Sequence, residues 1–351
     1  MNRLDDVGFV DRWFRHRASE LGEREPRVVA VRRLSRGVSR QTWEVRAETA
    51  GGIRTFAVRR DHRDGSIIPT TLRTEYEVYR LLGPTPVPTT DALWFEDDSA
   101  WQPDGRPAYV RTMVDGDWRL PFLASDDPAH DDVKIAASKE HLARLAQVHA
   151  LDWADLGFGE LFPVPESPAD CAENLIRTCL RQLAEFGAEP SPVLAEAVAR
   201  LRALAPRRDE VPVRLCKGTN GHGEEVWRDG RIVALSDWEL AAIGDPAYDF
   251  AQIQEMVPEI VRDGRRVWGW PEALEHYRAC GGADVTTDRI DFYRQCYGLL
   301  QFVYTQHAAA QVRRMDHPDL RFVWNAVEVG FRSELRLARL FGIELMTEAI
   351  A

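Results

Sequence analysis

The hydrophobic pattern of this chain changes character near residue 115. Before that point, apolar residues recur at helical spacing over 5–21 and 71–82, and other segments alternate or are rich in β-branched and aromatic residues. Glycine-containing turns separate several of these segments, so the pattern predicts two helices and an antiparallel meander. We predict strands at residues 28–31, 42–45, 55–59, 92–95 and 108–113.

The remainder of the chain has mainly helical spacing of its apolar residues. A short stretch at 213–239 instead alternates, and Asp229-Gly230 between its last two strand segments is a strong hairpin signal. The sequence therefore predicts an α+β protein with two lobes. Residues 1–115 form a small lobe built on an antiparallel β-sheet, and residues 116–351 form a larger helical lobe with the hairpin. We predict helices at residues 136–150, 169–187, 192–204, 271–280, 287–314 and 321–341.

Composition narrows the class of partner. The chain has 351 residues, with 45 basic and 56 acidic side chains and a net charge of −11, which argues against nucleic acid as the main partner. It has no run of about 18 uncharged apolar residues, the length that a membrane span needs. Residues 1–17 are charged and lack the apolar stretch of a secretory signal, so we expect a cytoplasmic protein. Five cysteines without a C-x-x-C pair favour neither zinc nor a disulfide framework.

An acidic motif after a strand carries the clearest chemical signal. Residues 232–239 read IVALSDWE, and residues 241–251 continue as AAIGDPAYDFA. Asp237 ends an apolar strand, where an unpaired carboxylate is costly, so we expect it to have an ionic or metal partner. We expect Asp245 and Asp249 to fix the turn and helix that follow.

These segments resemble the aminoglycoside phosphotransferase (choline kinase-like) family, whose pattern is a strand, then D-W-E, then G-D-P-x-x-D. Residues 34–45 resemble its phosphate loop, 56–60 its third strand, and 142–153 the helix before its catalytic loop. The resemblance spans nearly the whole chain and keeps its order. It implies a two-lobed protein-kinase-like fold and the use of ATP or GTP with Mg²⁺ on a hydroxyl of a small molecule.

The catalytic loop departs from that family, whose loop reads H-G-D-x-x-x-x-N. Residues 217–224 read KGTNGHGE, so Lys217 replaces the histidine, Thr219 the base aspartate, and Glu224 the metal-binding asparagine. The loop glycines are kept, and we expect the backbone path to be kept with them. A threonine hydroxyl cannot accept a proton as a carboxylate does, and a positioned base contributes about 10²–10⁴-fold to the rate. Phosphoryl transfer by this chain is therefore an open question.

The resemblance assigns candidate residues to each role. Several have ordinary alternatives: Gly37 as a hairpin glycine, and Arg59 and Glu75 as surface charges. We expect His149 to be a satisfied core residue. The candidates are Lys217, Thr219, His222, Glu224, Glu225 and Asp237 for catalysis, Gly37, Ser39, Arg59 and Glu75 for nucleotide binding, and Glu224 with Asp237 for the metal.

Three functions fit the sequence. The first is a diverged phosphotransferase that acts on a small molecule. The second keeps the fold for acid–base chemistry without nucleotide (a lyase, hydrolase or isomerase), with Trp227 and Trp238 as an apolar wall. The third is a nucleotide-binding pseudokinase. Aromatic residues and few clustered acids in 155–210 and 255–345 favour an aromatic or apolar substrate over a polycationic aminoglycoside.

Overall fold

The chain divides into two compact units. The computed structural model describes residues 3–34, 39–102, 104–189, 191–206, 211–221 and 223–343. The first unit comprises Met1–Ser66, Thr70–Leu120 and His222–Leu240, and the second comprises Ile67–Pro69, Pro121–Gly221 and Ala241–Ala351. The compact units thus differ from the predicted division after residue 115, because the hairpin after Gly221 belongs to the first unit.

The first unit is built on a five-stranded antiparallel sheet. The strand order is β1-β2-β3-β5-β4, and each strand that the sequence predicted before residue 115 is present. The strands are β1 (Arg27–Leu34), β2 (Arg40–Thr49), β3 (Gly52–Asp61), β4 (Ala92–Glu96) and β5 (Ala108–Thr112).

Two helices cover the two faces of this sheet. The first, α1 (Val7–His16), begins at the N-cap Asp6 and packs aromatic and aliphatic side chains against β2, β3 and β4. The second, α2 (Leu72–Leu82), begins at Thr71, whose hydroxyl accepts from the Thr74 N–H, and stacks on Tyr109 from the other face. Because side chains alternate along a strand, one face is apolar while the other presents the charged residues of β2 and β3 to α2.

The predicted first helix is shorter than its sequence pattern. Instead of running over residues 5–21, the helix ends at His16, because Arg17 leaves the helical region. A 3₁₀ turn (Ala18–Leu21) follows, and Gly22 ends it in the left-handed conformation. Another 3₁₀ turn, Arg3–Asp5, precedes α1.

A second hairpin, β7 (Glu225–Arg228) and β8 (Arg231–Leu235), is attached to the first unit. Its turn is Asp229-Gly230, as the sequence predicted. Asp117 and Trp227 exchange backbone hydrogen bonds, with N–O distances of 2.7 and 2.6 Å. The Leu235 N–H donates to the Pro88 carbonyl at 2.8 Å.

The second unit is mainly helical and is arranged around α8, a 28-residue helix with many buried side chains. The other helices of this unit that the structure describes include α5 and α10, which pack against α8. Their bounds are α3 (Asp131–His149), α4 (Phe158–Leu161), α5 (Pro168–Glu185), α6 (Pro192–Leu204), α7 (Trp270–Ala279), α8 (Thr287–Arg314), α9 (Leu320–Trp324) and α10 (Gly330–Leu340). Shorter 3₁₀ turns are Pro121–Ala124, Pro128–His130, Pro246–Phe250 and Gln254–Met256.

Two details of the second unit differ from the sequence prediction. Strand β6 (Arg214–Cys216) pairs with β9 (Ala242–Gly244), a strand that the sequence analysis did not predict. The predicted helix over 321–341 is interrupted by a π-helical turn, Asn325–Val329. A further pair, β10 (Ile260–Arg262) and β11 (Arg265–Trp268), precedes α7. None of the described helices has the length and apolar character needed to cross a bilayer.

Gly116 allows the hairpin to approach the sheet closely, which gives a stability prediction. A Cβ at this position would lie 2.5 Å from the Trp227 carbonyl oxygen and 2.7 Å from Val226 Cγ1. We expect Gly116→Ala to lower the free energy of unfolding by about 1–3 kcal/mol, in the range for overpacking. The control is Gly51→Ala, whose Cβ meets no atom within 4 Å. Urea unfolding followed by circular dichroism measures both variants, and equal stabilities would contradict this account.

Candidate active site

A fully buried carboxylate, Glu75 of α2, organises the charged groups of the first unit. Arg59 Nε lies 3.2 Å from Glu75 Oε1, and Arg40 Nη1 lies 3.3 Å from Oε2. The Tyr109 hydroxyl donates to Oε1 at 2.9 Å. Burial alone would raise the pKa of Glu75, but Arg59 and Arg40 outweigh it and hold that pKa below its usual value. The alternative of ordinary surface charges is therefore wrong for Arg59 and Glu75.

Arg40 links Glu75 to Glu239, and Glu239 lies 199 residues after Arg40 in the chain. Its Nη1 donates to Glu239 Oε2, and its Nε donates to Asp61 Oδ1 at 3.1 Å. The neighbouring Ser39 hydroxyl donates to Glu239 Oε1 at 3.1 Å. The predicted phosphate loop is thus tied, through Ser39 and Arg40, to the acidic motif that contains Asp237.

Asp237 follows β8 with an unusual backbone conformation. Its φ is +61°, in the left-handed region that aspartate and asparagine enter more readily than most residues. Its Oδ1 is buried and has no hydrogen-bond partner among the described residues. Asp237 interacts electrostatically with Arg59 and with Glu239. A buried carboxylate oxygen of this kind is costly unless a cation or donor binds it.

The balance of charge around Asp237 suits a divalent cation. Arg40 and Arg59 face four carboxylates, those of Glu75, Glu239, Asp61 and Asp237. When Glu239 is ionised, negative charge is in excess among these groups even with Arg111, which also interacts with Glu75. Mg²⁺ prefers carboxylate oxygens, and Asp237 Oδ1 offers one. The residues present therefore fit the metal that the family resemblance implies.

Glu239 has the most perturbed carboxyl group of this network. Burial, reinforced by the negative charge of Asp237, raises the pKa of Glu239 to about 7, although Arg40 opposes the shift. Glu239 therefore exchanges a proton near neutral pH, while Glu75 stays ionised. The strength of the link between Arg40 and Glu239 depends on that proton.

In the second unit, Asp249 holds the backbone of the substituted loop. Its Oδ2 accepts from the Lys217 N–H and its Oδ1 from the Gly218 N–H, both at 2.7 Å. Gln252 Nε2 donates to the Gly218 carbonyl at 3.3 Å. Gly218 has φ +84°, a conformation that favours glycine. Asp249 therefore fixes the loop at Lys217 and Gly218, whereas the sequence suggested a role in the turn and helix that follow it.

His149 supports Asp249 from α3, as expected for a satisfied core residue. Its Nε2 lies 2.9 Å from Asp249 Oδ2, and its Nδ1 is hydrogen-bonded with the Tyr277 hydroxyl. Because a carboxylate only accepts, Nε2 carries the proton, and a neutral ring accepts from Tyr277 at Nδ1. Cys216 lies close to His149 and Asp249, but hydrogen bonds occupy the ligand atoms of His149 and Asp249. Burial also raises the pKa of the Cys216 thiol, so this cluster favours a hydrogen-bond network over a metal site.

The loop itself contains buried polar groups. Lys217 is completely buried, and its Nζ donates to the Thr219 carbonyl. Thr219 Oγ1 and Asn220 Nδ2 are buried atoms without a hydrogen-bond partner among the residues the structure describes. Two such groups in one glycine-bounded loop are costly unless a ligand satisfies them. The structure thus brings Lys217 and Thr219 together, whereas Ser39, Arg59, Glu75 and Asp237 assemble in the first unit.

The other candidates occupy different positions. Glu224 is half-buried, and its carbonyl accepts from the Ser236 N–H at 2.9 Å and from the Ser236 hydroxyl at 3.0 Å. Glu225 lies buried at the start of β7. Gly37 and His222 lie outside the described residues. The roles of Glu224, Glu225, Gly37 and His222 stay predictions.

Sequence reasoning missed two residues of the charged network. Arg40 directly follows Ser39, and Glu239 stands in the D-W-E motif, yet neither was assigned a role. The available signal was weak: a basic residue at the start of a strand next to a predicted phosphate loop. A long-range pairing of this kind becomes visible only when the sheet and the hairpin are folded together.

Comparison with known proteins identifies the family. The model of the phosphotransferase enzyme family matches residues 30–293. The chain therefore belongs to the phosphotransferase enzyme family, which confirms the resemblance seen in its sequence motifs. No curated protein sequence matches it significantly.

Solved structures show the kinase-like fold. A protein of Ralstonia eutropha JMP134, provisionally assigned as an aminoglycoside phosphotransferase, is 17% identical with a TM-score of 0.69, over 96% of this chain and 98% of that one. A thermostable variant of aminoglycoside phosphotransferase APH(4)-Ia, bound to AMP-PNP and hygromycin B, is 14% identical with a TM-score of 0.60, over 96% of this chain and 99% of that one. Macrolide 2'-phosphotransferase MphH of Brachybacterium faecium is 19% identical with a TM-score of 0.55, over 86% of this chain and 97% of that one. The predicted α+β, protein-kinase-like architecture is confirmed.

The raised pKa of Glu239 gives a pH-dependent stability prediction. The folded pKa of about 7 exceeds the ordinary value of 4.5, so the folded state holds a proton that the unfolded chain has released. Protonated Glu239 therefore adds to the free energy of unfolding below pH 4.5. This contribution, about 2–3 kcal/mol, is lost as the pH rises through 7. Glu239→Gln should flatten this slope.

The control for that experiment is Glu48→Gln, because Glu48 is a carboxyl on β2 of the first unit whose side chain is 46% exposed. Thermal unfolding of the three proteins between pH 4.5 and 8 gives the slopes. A Glu239→Gln slope equal to that of the unsubstituted protein would show that Glu239 is ionised like a surface carboxylate.

Proposed function

We propose that this protein is an ATP- or GTP-dependent phosphotransferase that acts on a hydroxyl of a small molecule. The single observation that carries the proposal is Asp237, whose buried Oδ1 has no donor among the described residues, beside the ion pair of Arg59 and Glu75. In phosphoryl transfer by kinase-like folds, a basic residue on the third strand pairs with a helix glutamate, and an aspartate holds Mg²⁺. Family membership supports the same reading.

The first unit would bind the nucleotide phosphates and the metal. Arg59, held by Glu75, presents a fixed positive charge suited to a phosphate oxygen. Asp237, with Glu224 as the second predicted ligand, would hold Mg²⁺, which would neutralise charge on the transferring phosphoryl group. Gly37 and Ser39 belong to the predicted phosphate loop, and Ser39 is anchored by Glu239. A bound metal–nucleotide complex would compensate the charges of Arg59 and Asp237 in these roles.

The second unit would contribute the altered catalytic loop. Asp249 accepts from the Lys217 and Gly218 N–H groups of this loop, which supports our expectation that the loop keeps its backbone path although its side chains differ from the family pattern. Thr219 occupies the position of the base aspartate and cannot take the acceptor proton as a carboxylate does. Lys217 supplies a buried positive charge that orients the Thr219 carbonyl. We therefore expect slow phosphoryl transfer, which is accelerated more by stabilisation of charge in the transition state than by removal of the acceptor proton.

The substrate class is proposed from the sequence and from the relatives. Two of the similar structures are an aminoglycoside phosphotransferase bound to hygromycin B and a macrolide 2'-phosphotransferase. The aromatic content of the helical part of this chain favours an aromatic or apolar acceptor with a hydroxyl, nearer in chemistry to a macrolide than to a polycation.

A second function is favoured by one specific observation, the buried lysine of the loop. Lys217 is completely buried and Glu225 is buried in β7, so each is desolvated as acid–base groups of active sites commonly are. Such groups would support a lyase, hydrolase or isomerase reaction without nucleotide. This reading requires that ATP and GTP do not bind.

Calorimetric titration with ATP and GTP, each with and without Mg²⁺, tests the proposed function. We expect micromolar binding that depends on Mg²⁺ and is weakened at least about tenfold in Asp237→Asn, because one ligand charge is lost. The control, Asp229→Asn, changes an exposed aspartate in the β7–β8 turn that also has positive φ, +52°. Absence of binding to either nucleotide would overturn the proposal and favour the second function. Binding without any transfer would identify a pseudokinase.

Thr219→Asp tests whether the missing base limits the rate. The Lys217 ammonium already donates to the carbonyl of residue 219. Its positive charge would therefore offset the negative charge of the new carboxylate. We expect the single-turnover rate of phosphoryl transfer or ATP hydrolysis to rise at least about 10²-fold. Thr219→Asn, similar in size to aspartate but uncharged, is the control and should give no increase. Equal rates in both variants would show that this position does not act on the proton.

A further inference from the structure

The helical segment from α9 to α10 has apolar surface on two sides. One side packs against α8 and buries Phe322, Leu337 and Ala338. The other side presents large apolar residues to solvent, including the three most exposed ones among the described residues. We call this set the exposed stripe: Leu320, 81% exposed, Trp324, 52%, Val327, 69%, and Phe331, 68%.

The spacing of the exposed stripe is that of a helix-pairing seam. Successive members are four, three and four residues apart, which is the a/d spacing of a heptad repeat, and the π-helical turn Asn325–Val329 lies between the two α-helical ends of the stripe. Residues 320–331 would span roughly 18 Å at the rise of an α-helix, and the wider π-helical turn shortens this length. A helix that is apolar on both its inner and its outer side is expected to be covered on both.

The order of residues in the stripe suits an antiparallel copy of itself. A two-fold axis between Asn325 and Ala326 places Leu320 level with Phe331 of a second copy, and Trp324 level with Val327. Each layer then combines a ring with an aliphatic side chain. A parallel pair would instead put Trp324 against itself and Val327 against itself, giving one wide and one narrow layer.

The charges beside the stripe favour the same arrangement. In the antiparallel register Arg332 is level with Asp319 of the second copy, and Glu328 is about two residues from Arg321. Arg332 and Glu328 are 73% and 49% exposed and pair with each other within one chain, so they can extend that pair across a two-fold axis. A parallel pair would bring each charge near its own copy.

We propose that the exposed stripe is a symmetric interface with a second copy of this chain, formed by antiparallel pairing of the two 320–331 segments. A single helix face buries less than the about 800 Å² per partner that is typical of stable complexes. The dimer therefore exchanges with monomer, with a dissociation constant in the micromolar range. This inference does not depend on the proposed function.

Sedimentation equilibrium of the full chain from about 1 to 200 μM tests the interface. We expect a concentration-dependent dimer whose dissociation constant rises at least about 30-fold in Phe331→Glu, because both copies of the new carboxylate would be desolvated against Leu320 of the other chain. Ile53→Glu is the control, because Ile53 is an exposed apolar residue of the first unit and is 55% exposed. Circular dichroism of each variant checks the fold.

Cysteine cross-linking tests the orientation. In a Cys280→Ser background, which removes the exposed native thiol, Leu320→Cys and Phe331→Cys chains are oxidised separately and as a mixture. Antiparallel pairing predicts a cross-link only in the mixture, whereas parallel pairing predicts it in each variant alone. A monomer at all concentrations, or a dimer unaffected by Phe331→Glu, would overturn the proposal. Monomer that binds phosphatidylglycerol vesicles through the stripe would assign it to lipid and also overturn it.

Discussion

The first unit depends on a carboxylate that is removed from water and surrounded by arginines. Glu75 is completely buried, and it stays ionised because Arg59 and Arg40 compensate the cost of its burial. Since Arg40 also contacts Glu239, helix α2, the central strands and the acidic motif share one set of ion pairs. Asp237 lies within the field of this network and keeps a buried oxygen without a donor among the described residues. The same interaction that stabilises the unit therefore surrounds the position where we propose that a cation binds.

In the second unit, the loop that begins at Lys217 is held through its backbone. Backbone N–H groups of Lys217 and Gly218 bind Asp249, and His149 with Tyr277 supports that aspartate. None of these contacts involves a side chain of the loop. The loop is consequently held in the same way whichever side chain occupies position 219, and the loss of the base there need not disturb the fold.

Much of this arrangement follows from local sequence patterns. Strand alternation and glycine turns predict the sheet, and the D-W-E and G-D-P-x-x-D motifs point to Asp237 and Asp249. The contacts of Arg40 with Glu75 and Glu239 were not predictable, because they join residues of a strand, a helix and the segment after a distant hairpin. The pairing of β6 with β9 was missed because each strand has only three residues, too few for a periodic signal. The π-helical turn was also missed, because no change in the apolar spacing of residues 321–341 marks it.

Hydrogen–deuterium exchange with and without Mg²⁺ and ATP tests the central claim most directly, because it reports on each segment separately. If the Glu75 network supports a nucleotide and metal site, ligand should slow exchange at Ser39 and Arg40 and in the segment from Ser236 to Glu239. Exchange at the exposed stripe should not change. Unchanged exchange near Asp237 at saturating nucleotide, or protection confined to other segments, would contradict the account.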